Sequence, residues 1–542
     1  MIVEQQLYLK QYFMSFKRET FRHSAIYSIA NVLGMLTSFI MLPFYAQIFE
    51  TAGFGIIALI DSAVGFLAIA FANGSYQAMM KVYHEEPESR KSLVIGTGIW
   101  TVWRLGLICI PLPILASPWI STFLFDDSEY WPLIVLALIT FIVSMGGKSA
   151  STFLVIDQRS GLYSFVNLLT LILGLTLNIV LVIYLQFGLA GIFISSLASN
   201  FVASLIFHWV AIWENGLHYD ADIGLKLRKF WFPLIPGELF GYLSRQVERY
   251  LIRFFVSLEA VGILEMAYKF PPLINIFIAH PFQRAWGTKS LEIAPRADAP
   301  KEISSMFTFY VFLMLFMAVF LAANIEMVLA IMTPPEFWPA ARLAQIDIIT
   351  TVIASANAYL LFGLLYSGKT AVITRIRITV AVIKLGFSTI LVMIFGLAGA
   401  VYSALVMEII MLVWIFNKAQ QAYWLPLEYR KIIALCGFAV GLVILADHLP
   451  QFASGVLDRV ETSLFGNLLA FLADTPLGGW RSGKLIEVLG NRTDQFAKLL
   501  VSCCFCLLYG ALILVVKPEL ARLDKIYPFR LAIAAIRRRK GE

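Results

Sequence analysis

The segment GELFGYLSRQVERYLIRFF (237–255) carries the residues hardest to place in an apolar chain. At 100° per residue of an α-helix, Glu238, Tyr242, Arg245, Arg249 and Arg253 fall within an arc of about 80°. A guanidinium is a planar fork whose paired donors match phosphate oxygens, and it stays charged at any physiological pH. Two uses fit such a stripe. It is either a cationic wall for an anionic substrate, or a structural network in which Glu248 pairs with Arg245 or Arg249. Three further cations, Arg104, Lys269 and Lys384, interrupt apolar runs elsewhere. An uncompensated charge at the centre of a membrane helix costs about 2.5–3.5 kcal/mol on insertion scales. Arg253 and Lys269 stand near helix ends and can reach toward water, whereas Arg104, Arg249 and Lys384 cannot do so cheaply. The substrate-binding candidates are therefore Arg104, Arg245, Arg249, Arg253, Lys269, Lys384 and Tyr242.

Acids share the same runs: Asp61, Glu238, Glu248, Glu265, Glu326, Asp347 and Glu408. Of these, Asp61, Glu238 and Glu248 are the candidates for coupling or gating. Asp61 could carry a coupling cation or proton (Na+ or H+), pair with Lys269, or serve as a structural hydrogen-bonder. No phosphate-cradling Gly-rich loop with its lysine, HExxH or nucleophile–base signature is present, so neither catalysis nor a cofactor is expected. Cys503 and Cys506 share a helical face without a His or carboxylate at ligand spacing, so the thiols are expected to be buried and metal-free. Transport energy would come from an ion gradient, the membrane potential or downstream pull.

The elements that position these residues follow from composition. Hydrophobic residues make up 59% of the 542 and charged residues 14%, with a mean hydropathy of +0.79. Soluble domains sit nearer 45–50% and about 25%, so the chain is read as an all-α polytopic membrane protein. About 20 apolar residues cross about 30 Å of hydrocarbon. On that ruler there are about fourteen transmembrane helices, at 24–48, 54–76, 93–115, 130–150, 163–186, 189–212, 231–256, 261–284, 304–331, 343–366, 371–394, 396–416, 432–449 and 497–516. The tail, the N-terminus and every second loop hold thirty of the 42 lysines and arginines, while the short loops ETAG, SPWISTFLFDDSEY, QFGL, SLEA, TPPEFWPA and FG hold none. The positive-inside rule places both termini in the cytoplasm. The formal charge of +7 is thus topology, not a nucleic-acid surface. No cleavable signal peptide is visible, and the external stretch 450–496 contains an amphipathic segment suited to the membrane interface.

The phrase FGLAG occurs at 187–191 and again at 395–399, and a weaker echo joins TAGFGIIALI (51–60) to EAVGILEMAY (259–268). On the span count both FGLAG copies lie at an external hairpin, six spans apart. An even interval implies two six-helix lobes related by a pseudo-twofold along the membrane normal. The expected organisation is an N-lobe over 1–215, a C-lobe over 216–425, and two appended helices with a basic tail over 426–542. Pro271 and Pro272 should kink the eighth span.

Two stretches carry a family resemblance. RHSAIYSIANVLGMLTSFIMLPFYAQIFETAGFGIIALIDS resembles the start of polysaccharide-biosynthesis flippases of the Wzx type. These belong to the MATE-like (MOP) exporter superfamily, with the multidrug/toxin-extrusion antiporters and the peptidoglycan-precursor flippase. FPLIPGELFGYLSRQVERYLIRFFVSLEAVGILEMAYKF and PFQRAW resemble its second signature, with Glu248–Arg249 where Asp–Arg is more usual and Leu264 where tyrosine is frequent. The resemblance implies two lobes around a central cavity working by alternating access. It further implies a polyprenyl-pyrophosphate-linked glycan repeat unit as substrate, moved from inner to outer leaflet of the bacterial inner membrane during exopolysaccharide, capsule or O-antigen synthesis. Membrane lipid and a polysaccharide polymerase or export machinery are the implied partners. Two alternatives stand: a MATE-type cation-coupled drug/toxin antiporter, in which Asp61 or Glu408 dominates the cavity, and a non-transporting scaffold of a glycan-export complex.

Overall fold

The computed structural model describes Phe39, residues 41–71 and residues 73–444, and every regular element among them is helical. Nine helical stretches among the described residues are long and apolar enough to cross a membrane. A tenth arises if α1 (Met41–Ile48) and Thr51–Leu67, which meet at 115°, count as one broken span. The expected spans at 24–48 and 432–449 in part, the span at 497–516, the loop 450–496, the tail, and Cys503 and Cys506 lie outside the described residues.

Compact units divide after Gly262. The first holds α1, α2 (Thr51–Phe71), α3 (Asn73–Glu85), α4 (Glu88–Cys109), α5 (Pro111–Leu115), α6 (Ser117–Phe125), α7 (Trp131–Ile156), α8 (Ser160–Asn178), α9 (Gly188–Asn215), α10 (Ala221–Trp231) and α11 (Ile235–Phe255). The boundary itself falls within α12 (Leu258–Ala267). The repeat ruler places the span 231–256 in the second lobe, yet α11 packs along α2 in the first unit. At 21 residues and 1.5 Å per residue α11 is about 31 Å long, enough to cross. Its charges, not its length, keep it out of the apolar count.

The third span is interrupted near its end. Prolines at 111 and 113 follow the end of α4, and the chain continues as α5 and α6 with breaks at Ile110 and Ala116. A proline removes one backbone donor and crowds the preceding turn, which is enough to interrupt a helix. Asp126 then closes α6 in a left-handed conformation, φ 58°.

At the basic end of the first unit, α10 is tied down by charge. The carboxylate of Asp220 accepts from the backbone N–H groups of Asp222 and Ile223, each at 3.0 Å, and caps the helix. Arg90 donates to Asp220 at 2.9 Å, and Lys226 donates to Glu86 at 2.6 Å. The amide bonds and Arg90 hold Asp220 below the usual carboxylate range, while Glu86 and Asp222 raise the Lys226 ammonium above the usual lysine value. Trp231 is fully buried against Gly74, where a Cβ would come within 2.0 Å of the indole.

The starts of the two echoing segments lie against each other. A Cβ on Gly55 of α2 would sit 2.3 Å from the carbonyl oxygen of Leu258, and one on Gly262 of α12 would sit 1.8 Å from that of Thr51. Only glycine permits backbones to approach so closely.

The second unit holds α13 (Pro272–Ile274), α14 (His280–Ile293), α15 (Ala299–Met332), α16 (Ala340–Leu360), α17 (Phe362–Tyr366), α18 (Thr370–Phe395), α19 (Leu397–Ala422) and α20 (429–444). The expected proline kink appears as a break at 268–271, followed by a π-helical turn over Asn275–Ala279. PFQRAW is packing chemistry: Phe282 lies 4.5 Å from the Tyr310 ring, Gln283 donates to the Tyr310 hydroxyl at 3.4 Å, and Trp286 is buried.

Both FGLAG copies build the same corner. Gly188 and Gly396 each adopt φ 58°, a conformation cheap only for glycine. Gly396 directly follows α18, while before α9 the chain leaves its helix at Tyr184 and turns at Gln186, φ 54°. A Cβ on Gly191 would press on the backbone of Leu181, and one on Gly399 on that of Leu391. The first copy is preceded by a π-turn, Ile179–Tyr184, and the second by uninterrupted α-helix.

Candidate functional site

The α11 stripe divides into anchoring and uncovered groups. The Tyr242 hydroxyl donates to the Ser62 carbonyl of α2 at 2.9 Å. The phenol crosses α2 at Gly65, where a Cβ would lie 2.0 Å from its oxygen. Arg253 is equally committed. Its Nε donates to the Leu124 carbonyl, and its Nη2 pairs with the Asp126 carboxylate at 2.5 Å, so it clasps the end of α6. These two residues of the expected binding set fasten α11 to its neighbours.

Arg249 is half-buried and donates to Gln246 on the same helix. Glu248 is buried, and none of Asp61, Glu248 and Arg249 is without a partner. Arg245 and Glu238 are uncovered by protein, and so is Asp61 on α2. The α2–α11 pair thus keeps Arg245, Glu238 and Asp61 uncovered beside a phenol and a guanidinium that are fastened to backbone carbonyls. The charge there is mixed, with arginine forks outnumbering carboxylates on α11 itself.

Arg104 has a different compensation. Its guanidinium lies 4.6 Å from the Tyr219 ring and 5.9 Å from that of Trp100. Stacking of this kind stabilises a cation by about 0.5–2 kcal/mol, depending on its hydration. Nearby, Trp103 donates to His208 Nε2 at 2.8 Å, and His208 Nδ1 lies 2.7 Å from the Ser204 carbonyl. Both ring nitrogens are therefore satisfied by a neutral imidazole, and this histidine is structural.

Lys269 and Lys384 belong to the second unit. Lys269 is half-buried at the break after α12. Lys384 and Arg377 of α18 act electrostatically on Glu408 of α19. The Asn357 amide of α16 donates to the Glu408 carboxylate at 2.5 Å. Among the described residues no group of three or more His, Cys, Asp or Glu side chains could hold a metal ion.

Sequence reasoning missed Ser62, Leu124, Asp126 and Tyr219 as partners of these groups. Two of the contacts are to backbone carbonyls, which carry no side-chain signature. The left-handed Asp126 and the N-cap Asp220 were accessible from turn chemistry, since short polar residues favour both positions.

Residues 21–286 match the sequence model of the family described as "Polysaccharide biosynthesis protein". A curated relative, the succinoglycan biosynthesis transport protein ExoT of Rhizobium meliloti (strain 1021), is 23% identical over 242 residues, which is 44% of this chain. The aligned region spans 47% of that relative, about half its length. The fold is shared with the lipid II flippase MurJ in an inward closed conformation, at a TM-score of 0.67 and 11% identity, over 93% of this chain and all of that one. It is shared less closely with an inward-facing multidrug resistance MATE family transporter of the MOP superfamily, at 0.55 and 14%, over 72% of this chain and 95% of that one. The expected resemblance is borne out: this is a multi-span membrane protein with a MATE-like, MOP-type fold and a polysaccharide-biosynthesis match over its first half.

Proposed function

We propose that this polysaccharide-biosynthesis transporter is a flippase for a polyprenyl-pyrophosphate-linked glycan repeat unit, working by alternating access in the bacterial inner membrane with both termini cytoplasmic. The observation that carries the reading is α11. Other charges in the spans are scattered, but α11 places three arginines along one helix, two of them not spent on the α6 clasp. A pyrophosphate is the part of such a substrate least compatible with hydrocarbon, and guanidinium forks replace its hydration with paired donors. Arg245 and Arg249 contact the diphosphate, while Tyr242 and Arg253 keep α11 in place. Asp61, Glu238 and Glu248 serve coupling or gating with Na+ or H+. The 208-residue repeat divides the helices into two six-helix lobes, with spans 13 and 14 appended.

The test uses proteoliposomes carrying a lipid-linked oligosaccharide, with the arrival of sugar at the outer leaflet followed by lectin or oxidant accessibility. Arg245→Ala and Arg249→Ala should slow arrival about ten- to hundredfold while insertion is unchanged. Normal arrival in both well-inserted variants would remove the arginine assignment. The Glu408–Asn357 pair favours a second reading, a cation-coupled antiporter of organic cations. Cation-stimulated efflux of such compounds by the purified protein, with no glycan-lipid transfer, would establish it instead.

A further inference from the structure

Arg104 is uncovered by protein within an apolar stretch of α4. Trp100, Leu107 and Ile108, one turn to either side, are exposed as well. This face of the span is therefore apolar apart from one guanidinium. The side chain does not stay level with its own backbone. Gly96 lies against His218, where a Cβ would come within 2.6 Å of the carbonyl oxygen, and marks where the linker between α9 and α10 crosses α4. Arg104 stands two turns further on, about 12 Å along the axis. Its guanidinium nevertheless lies over the ring of Tyr219, the residue after His218. The side chain thus runs back toward the end of α4 that carries Arg90 and Lys91.

A second guanidinium approaches the same phenol from its other end. The Tyr219 hydroxyl lies against Gly224 of α10, where a Cβ would come within 2.8 Å of it. The Gly224 carbonyl accepts from Nε of Arg228 at 3.2 Å, which leaves the Nη groups of this exposed side chain unspent. Tyr219 is itself 39% exposed. Among the described residues neither Arg104 nor Arg228 is paired with a carboxylate. An aromatic ring steadies a cation but offers its N–H donors no oxygen. Two guanidinium groups with donors to spare, a phenol hydroxyl between them and an apolar surface alongside suit an oxyanion that carries hydrocarbon. Free phosphate would leave the apolar surface unused.

We propose that Arg104, Tyr219 and Arg228 bind the phosphodiester of an anionic glycerophospholipid from the adjoining leaflet, with its acyl chains along Trp100, Leu107 and Ile108. The bound lipid joins α4 to the linker before α10. In that linker Asp220 caps α10 and accepts from Arg90, and α10 leads through Phe232–Leu234 into α11. A phospholipid on this face steadies the approach to α11, whatever α11 itself binds.

The experiment uses the full chain in phosphatidylcholine nanodiscs containing a phosphatidylglycerol with a photoreactive group on its headgroup glycerol. Crosslinks should map to residues 100–108 or 216–229, and unlabelled phosphatidylglycerol should suppress them. Arg104→Gln and Arg228→Gln should each lower that labelling about tenfold, the loss of one charge-assisted contact. Arg104→Lys should fall between, since an ammonium keeps the charge without the fork. Tyr219→Phe keeps the ring beneath Arg104 and should lower labelling about threefold. Lys369→Gln, an exposed cation of the second unit, should leave it unchanged. Mapping on the unmodified protein decides the matter even if a variant fails to fold. Suppressible labelling confined to other residues would overturn the site. Equal labelling of the same residues by a photoreactive phosphatidylcholine would show contact without recognition of charge, and would overturn it too. Suppression by inorganic phosphate but not by phosphatidylglycerol would reassign the site to a soluble anion. Suppression by polyprenyl phosphate alone would reassign it to the lipid carrier, and either reassignment ends the proposal.

Discussion

The α2–α11 pair and the α16–α18–α19 cluster both bring charge into apolar surroundings, and they do it by opposite means. On α11 the cations exceed the acids, and the helix is fastened by a phenol and a guanidinium that reach backbone carbonyls. Around Glu408 a carboxylate, an amide and two cations from three helices offset one another. The uncovered groups of the first region, Arg245, Glu238 and Asp61, are of mixed sign and meet what lies outside the protein, whereas the Glu408 cluster is offset from within. In the function proposed above the first region faces the ligand and the second holds helices together.

Substitutions can break that contrast. The largest effect expected is on transport, from Arg245→Ala: about ten- to hundredfold in initial rate, the loss of roughly 1.5–3 kcal/mol of charge-assisted bonding. Its Tm should stay within about 2 °C, since Arg245 is uncovered by protein. Arg245→Lys should fall between, because it keeps the charge and loses the fork. Lys384→Ala should show the reverse pattern. It removes one of the charges offsetting Glu408, costs about 1–3 kcal/mol and lowers Tm by several degrees with turnover per folded molecule retained. Adding Glu408→Gln should recover most of that stability. Lost transport at unchanged Tm would move Lys384 into the ligand-facing class.

A smaller effect tests the fastening of α11. Gly65→Ala forces a Cβ against the Tyr242 hydroxyl and should cost about 1–3 kcal/mol in a thermal melt. Combining it with Tyr242→Phe should return part of this, since the clashing atom is gone. Additive losses would show that the phenol does not lie across Gly65. The smallest effect lies at α10, away from both regions. Asp220 is held below the usual carboxylate range, so its cap and its bond to Arg90 are intact above about pH 4 and fade as the pH falls through its lowered pKa. Hydrogen exchange at the first turn of α10 should quicken below that pH, and Asp220→Asn should flatten the dependence. An unchanged acid profile in the variant would rule out this carboxylate as its source.

Much of the fold was legible because helices in hydrocarbon are long, apolar and punctuated by glycine. FGLAG was read as a turn, and both copies are turns with one φ value. Periodicity also put Tyr242 and the three arginines on one face. It could not say what that face meets. The repeat spacing assigned α11 to the second lobe, and it could not report that the helix packs along α2. On the repeat ruler five of the six cations lie in the second half, but by compact unit Arg104, Arg245, Arg249 and Arg253 lie in the first. Arg253 looked like its neighbours on the helical wheel. Its partners are a carbonyl on α6 and a carboxylate just after it, 129 and 127 residues back, and no local pattern reports either. The fourteen-span count depends in part on segments outside the described residues.

Where α2 and α12 begin, Gly55 and Gly262 each rest on the other helix's first carbonyl. Most helix contacts interlock side chains, so any rotation must climb out of one set of grooves into another. Here backbone meets backbone at two points, and neither glycine can gain a side chain without moving a carbonyl. A single methyl on either glycine would push the two helix starts apart.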